Sequence, residues 1–356
     1  MFRRFLPLPP MMLFAMATLT PVALLGAGVW LGEAWVLPGL LYMVVLTIAL
    51  DRLIRWTAPD APEGAEFPAA DALLIAIGVA HLIAFPVAVW AIAGESGLSP
   101  LARIGLFAGF GLVFGQVSNP AAHELIHRGN RWLYRLGVAV YATMLNAHHA
   151  SAHRLVHHRH VATPMDPNSA PEGMGFYRFL PRAYLGSFRA GWQAETARRS
   201  GGAGGMLPYP AYLLAQAGSL GLGFLIAGWP GVVVWLALAA HATAQLMLSD
   251  YVQHYGLARR QLADGRYEPV SARHSWNAPH WFTSGVMLNA PRHSDHHAHP
   301  ARPYPALRLP EADAAPWLPW SLPVASAVAL VPALWRRRMR HRLRRWTAAS
   351  TSSGLD

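Results

Sequence analysis

The sequence predicts an all-α integral membrane protein with six transmembrane helices in three hairpins and a helical, histidine-rich region on the cytoplasmic side. Three observations predict it. Of the 356 residues, 53% are hydrophobic and 13% are charged, about half the charged share of an ordinary soluble domain. Apolar runs close to the ~20 residues that cross a bilayer recur six times. Twelve of the 18 histidines gather in two stretches, eight in 123–160 and four in 293–299.

The apolar runs lie near 11–31, 34–50, 70–94, 101–120, 207–228 and 231–249. Within each pair the connection is short: Gly32-Glu33, then Gly94 to Pro100, then Gly228-Trp229-Pro230. Turns this short hold no domain, so one side of the membrane carries little protein. The other side carries Arg3 and Arg4, Arg52 and Arg55, the segment 121–206 and the segment 250–340. Arginine is dense there and nearly absent from the short turns, Arg103 being the main exception. The positive-inside rule therefore places both termini in the cytoplasm, as for a multi-pass protein of a bacterial-type inner membrane. Arg3 and Arg4 before an apolar run resemble a signal peptide. The run's length, and the second run directly after it, favour a first membrane helix.

Three further segments need placing. The stretch 316–335 is apolar but holds Pro316, Pro319, Pro323 and Pro332 and ends in three arginines. It is expected as a helix at the interface or on the cytoplasmic domain, because a seventh span would put the arginines outside. Ser200 to Gly205 reads as a flexible joint. Residues 347–356 read as a disordered tail. No regular internal repeat is visible, and residues 1–356 form one membrane domain.

Charge and cysteine content narrow the chemistry. The net charge is +11 and there is no cysteine, which excludes disulfides, thiolate metal sites and a cysteine nucleophile. Together with the apolar composition, the basic balance suits membrane lipid or an acidic protein, not nucleic acid.

Histidines carry the strongest signal. His123 and His127 in His123-Glu124-Leu125-Ile126-His127 stand four apart, so both rings share one helical face. The same five residues match the zinc-protease pattern, and a plain polar helix end fits them equally well. His153, His157 and His158 repeat the spacing with a third, adjacent ring. His293, His296 and His297 add spacings of three and four. His254 stands alone beyond the sixth run, where a hydrogen-bonded polar residue is the ordinary reading. These nine imidazoles exceed what one zinc takes and suit two metals, although imidazole alone does not select iron over copper, nickel or zinc. Glu124, Asp166 and Asp295 are candidates to orient the rings by accepting their N–H groups; solvated carboxylates fit as well. The other nine histidines are left unassigned. Of these, His148, His149 and His160 flank a cluster, and His81 and His241 fall inside predicted spans.

The spacings resemble the three histidine boxes of the membrane fatty-acid desaturase and hydroxylase superfamily. Further segments resemble the alkane hydroxylase (alkane 1-monooxygenase) family within it. They are Ala162-Thr163-Pro164-Met165-Asp166-Pro167, Arg292-His293-Ser294-Asp295-His296-His297-Ala298, His254-Tyr255-Gly256-Leu257 and Leu334-Trp335-Arg336-Arg337. The resemblance runs from about residue 15 to 340. It departs from the family pattern at Ala152 and Gln253, where the family often has Glu, and at Ala290-Pro291. The resemblance implies two iron ions held by the nine histidines, and O2-dependent hydroxylation of a medium or long alkane at its terminal methyl to give the 1-alkanol. The substrate would enter from the bilayer. No flavin, haem or iron–sulfur motif is visible, so electrons come from outside; resemblance implies rubredoxin and its NADH-dependent reductase. No acid–base catalytic residue is assigned. The rival readings are a xylene-type aromatic side-chain hydroxylase or a fatty-acyl desaturase or hydroxylase. From other classes, a membrane metalloprotease and a non-catalytic metal carrier also compete.

Overall fold

The structure is a computed structural model that describes residues 10–202 and 204–352. Its long elements are α1 (Pro10–Leu31), α2 (Glu33–Leu53), α3 (Ala69–Ala93), α4 (Pro100–His127), α5 (Arg131–Thr143), α6 (149–160), α7 (Phe176–Ser200) and α8 (Tyr209–His254). Shorter helices α9 (Trp281–Val286), α10 (His293–Ala298) and α11 (Leu322–Ala329) precede a last long helix, α12 (Pro332–Ser352). Arg3 and Arg4 lie outside the described residues.

Five of these helices, α1 to α4 and α8, are long and apolar enough to cross a membrane. The fifth is two arms. Ala227 and Gly228 leave helical geometry, Gly228 at φ 60° and ψ −146°. The chain then folds back, so that a Cβ on Gly223 would sit 3.2 Å from the Gly231 carbonyl oxygen. Residues eight apart on a straight helix stand ~12 Å apart. The glycines therefore make the third hairpin, and six apolar helical segments result. Their outer faces keep large apolar side chains exposed, among them Leu37, Leu41, Val45, Leu214, Leu225 and Val233. Apolar surface on this scale calls for lipid or another protein to cover it.

Local chemistry explains the ends. Gly32, at φ 98°, turns α1 into α2. Ser99 accepts from Ala102 N–H at 3.3 Å, capping α4, and Pro100 opens that helix without losing a hydrogen bond. Ser99 N–H also donates to Glu33 Oε1 at 2.8 Å, which ties the first two short turns side by side. The exceptional Arg103 has a local task. Its guanidinium donates to Ile92 O at 2.8 Å and Leu98 O at 3.0 Å, satisfying carbonyls at and beyond the end of α3.

The opposite end holds the polar region. Asp51, near the end of α2, accepts from Phe282 N–H, Thr283 N–H and the Thr283 hydroxyl, so the first hairpin caps α9. Arg292 bonds Asp60, Ala58 O and Leu307 O, fixing the loop that opens α10. The stretch 316–335 contains α11, whose eight residues are too short to span; it packs on the second arm of α8 through Leu322, Ala325 and Ala329. The tail needs a correction. Residues 347–352, expected to be disordered, continue α12. The stripe Trp335, Met339, Leu343 is buried against the protein and carries this helix forward from its start. Residues 353–356 lie outside the described residues.

Candidate metal centre

Two of the membrane-type helices run on past their expected ends. α4 continues to His127 and α8 to His254, so His123, His127 and His254 ride on the rigid ends of long helices. α6 supplies His153, His157 and His158, and α10 supplies His293, His296 and His297. The structure brings all nine together in two adjacent groups. One holds His123, His127, His153, His158 and His296; the other holds His157, His254, His293 and His297.

The grouping differs from simple i,i+4 reasoning at α6. Residues His153–His157 form a π-helical turn, which adds about one residue per turn. The ring that shares a face with His153 is therefore His158, five residues on, with their Nε2 atoms 2.9 Å apart. His157 turns to the other group. α10 splits in the same way: His293 and His297 pair at 3.1 Å, and His296 crosses to His158 at 3.1 Å. Adjacent residues on a helix point ~100° apart, so each short helix feeds both groups.

The donor atoms fit a metal. His123 Nε2 stands 2.8 Å from His153 Nε2, and His254 Nε2 stands 3.0 Å from His293 Nε2. Donors bound to one divalent ion at ~2.1 Å lie roughly 3 Å apart, so these spacings are those of neighbouring ligands. The Nε2 atoms of His127 and His157 are buried and have no hydrogen-bond partner. Two rings are oriented from behind: His157 Nδ1 faces Asp166 Oδ2 at 2.8 Å, and His254 Nδ1 faces His274 O at 3.3 Å. A proton held on Nδ1 leaves the Nε2 lone pair free.

Electrostatics favour ligation. Burial, reinforced by neighbouring rings, holds His153, His158, His293, His296 and His297 well below the usual histidine range. They are neutral at pH 7, as ligands must be. Burial also acts to lower His157, but the charge and hydrogen bond of Asp166 outweigh it and raise its pKa. Asp166 is held below its ordinary value by His157, Ser169 and Asn168 against its own burial.

The other two carboxylates face elsewhere. Glu124 accepts from Tyr304 N–H at 3.2 Å and lies 3.5 Å from Arg128. Asp295 bonds His299, Arg302 and Arg308 N–H. Two unassigned histidines lie close by. His149 is buried with its ring 4.9 Å from His153 and its Nε2 unpartnered, and His148 packs on Tyr184 and Phe188. Their signal was the flanking position, with His149 four residues before His153. A cavity of about 240 Å³ reaches the centre at His123, His293 and His296 and continues along α4, the second arm of α8, and α11.

A helical chain that gathers nine buried or half-buried imidazoles in two touching groups beside an apolar cavity has the architecture of a membrane metal oxidoreductase. It belongs to the fatty acid desaturase family, whose model matches residues 98–323, and the centre is its metal (iron) site. Within that family it groups with the alkane 1-monooxygenases. Over 257 residues it is 38% identical to alkane 1-monooxygenase 1 of Pseudomonas aeruginosa, covering 70% of this chain and 65% of that protein. It is 34% identical to alkane 1-monooxygenase 2 of the same organism, over 73% of this chain and 69% of the other. A more distant relative, the xylene/toluene monooxygenase hydroxylase component of Pseudomonas putida, is 28% identical over 87% of this chain and 81% of its own length.

Proposed function

We propose that this protein hydroxylates the terminal methyl of medium or long alkanes with O2, giving 1-alkanols, at a centre of two iron ions. The single observation that carries the reading is the convergence of nine imidazoles into two groups, reached at His123, His293 and His296 by a largely apolar cavity. His123, His127, His153, His158 and His296 would hold one ion, and His157, His254, His293 and His297 the other. The balance is R–H + O2 + two electrons + two protons to R–OH + water. Bound iron supplies the O2 reduction and C–H cleavage that side chains cannot.

The chain's own part is to hold, aim and keep dry. Leu112, Leu246, Leu248, Met287 and Leu288 line the cavity and give it an apolar wall. Asp166 keeps the His157 proton on Nδ1. A protease reading of His123-Glu124-Leu125-Ile126-His127 leaves seven converging histidines without a task, and Glu124 faces Tyr304 N–H and Arg128. The greater identity to the alkane enzymes favours alkanes over xylenes.

Six spans with both termini in the cytoplasm of an inner membrane follow from the arginine distribution and the three hairpins. Electrons would come from rubredoxin and its NADH-dependent reductase. α12 supports an acidic carrier: Arg337, Arg338, Arg340, Arg342, Arg344 and Arg345 are exposed, and its apolar stripe is already used against the protein.

The test is conversion of octane and hexadecane by whole cells that also make rubredoxin and its reductase, read by gas chromatography. A 1-alkanol that vanishes with His293→Ala supports the reading. Alkene, benzylic alcohol from a xylene, or no O2-dependent product would replace it.

A further inference from the structure

The end of the cavity remote from the histidines is not hydrocarbon-like. Gln116 on α4, and His241 and Gln245 on α8, line it, and all three lie within helices apolar enough to cross a membrane. Polar side chains at that depth are costly and are kept where they have a task. Room for them is cut into α4. A Cβ on Gly111 would lie 2.0 Å from His241 Nδ1, and one on Gly115 would lie 2.2 Å from the Gln245 amide.

The group is partly satisfied. Gln116 Nε2 donates to Gln245 Oε1 at 3.2 Å, and Gln245 Nε2 donates to Gly111 O at 2.8 Å. Two atoms are left over: Gln116 Oε1 and His241 Nδ1 are buried and make no hydrogen bond. One is an acceptor; the other donates or accepts with the tautomer. A hydrocarbon chain leaves both unmade, which is unfavourable for buried polar groups. A hydroxyl, which donates and accepts, suits them.

Position adds the geometry. Gln116 precedes the cluster residue His123 by seven helical positions, roughly 10 Å along the axis. A molecule lying in the cavity with a methyl at the histidine centre thus brings its other end to Gln116.

We infer that the cavity is built for a linear chain with a hydroxyl at one end and a methyl at the other, Gln116 and His241 receiving the hydroxyl while the methyl reaches the metal centre. This rests on the methyl-hydroxylase reading above and names a substrate class for the same site. The step is CH3 to CH2OH with O2, two carrier electrons and two protons, one oxygen atom leaving as water, so that a 1-alkanol becomes an α,ω-diol. The class of reaction that supplies such a substrate is itself a terminal hydroxylation.

The experiment compares 1-octanol with octane in membranes supplied with the electron carriers. Wild type should show about tenfold higher kcat/KM for 1-octanol at its methyl end, chiefly through KM, as one recovered hydrogen bond would give. Gln116→Leu and His241→Phe should each move that ratio at least severalfold toward octane. Binding is read in parallel as the rise in unfolding temperature of the purified protein with each ligand. 1-Octanol should stabilise wild type more than octane does, and Gln116→Leu should lose the difference. Equal responses to the two ligands in wild type, or a ratio unchanged in both variants, overturn the inference even when octane is hydroxylated. Absence of turnover on octane and 1-octanol alike, with the binding difference present, instead overturns the alkane reading and leaves the polar end of the cavity standing.

Discussion

Asp166 Oδ2 lies 2.8 Å from His157 Nδ1, and both side chains are buried. Asp166 in turn accepts from the Ser169 hydroxyl at 2.7 Å and from Asn168 N–H at 3.0 Å. The carboxylate is held on one side so that the imidazole is held on the other. Asp166→Asn removes the charge and keeps the size. It should cost 10- to 100-fold in metal affinity or activity, the usual effect of losing a partner behind a ligand. Iron titration of the purified variant checks this; affinity equal to wild type would remove Asp166 from the centre.

The two groups differ in donor number, five against four. His297→Ala leaves three in the smaller group and should lower bound iron toward one per chain and abolish turnover. His158→Ala leaves four in the larger group and should retain more iron. Metal analysis of both variants decides; full iron content in both would sink the ligand assignment.

Gly228 sits at φ 60° and ψ −146°, a region closed to side chains at little cost only for glycine. Gly228→Ala should destabilise the third hairpin by ~1–3 kcal/mol. A lower unfolding temperature in detergent is the expected result; an unchanged one would remove the strain argument at Gly228.

Glu195 on α7 accepts from the Ser151 hydroxyl at 2.7 Å, which docks α7 on α6, and it pairs with Arg198 and Arg199 on its own helix. Its burial works against the charge, but the Ser151 hydroxyl and the two arginines hold the carboxyl below its ordinary range. A depressed folded-state pKa adds stability above the unfolded value and loses it as pH falls through the folded one. Glu195→Gln should therefore destabilise the protein at pH 7, and the gap should close as the pH is lowered from 7 through the carboxyl's depressed folded-state value. Unfolding temperatures of the two proteins across that interval test it; a gap independent of pH counts against the charge.

If α12 receives an acidic carrier, replacing Arg337, Arg338, Arg342 and Arg345 by Ser should slow electron delivery at low salt more than at high salt. Stopped-flow oxidation of reduced carrier shows this, and equal salt slopes in both proteins would assign the arginines to lipid.

Much of this was legible in the sequence because each feature has a local cause. The apolar runs marked where the membrane-type helices begin, though α4 and α8 run on to His127 and His254, and the short glycine-bearing turns marked the hairpins, including the break at Gly228. The three boxes and His254 named the residues that converge. Their division did not follow, since the π-helical turn at His153–His157 is set by packing and leaves no trace in the residue pattern. The roles of Glu124 and Asp295 were equally hidden. Their partners, Tyr304 N–H and Arg302, depend on how distant loops close. The persistence of helix beyond Thr347 was missed because polar and small residues there resemble a tail.

The π-helical turn also fixes the phase of the centre. One residue inserted or deleted between His153 and His157 would rotate His157 and His158 by ~100° relative to His153. Because one of that pair serves each group, both halves would lose a donor in the same event. A single-residue length change in this segment therefore reaches both groups at once, where a single histidine substitution reaches one.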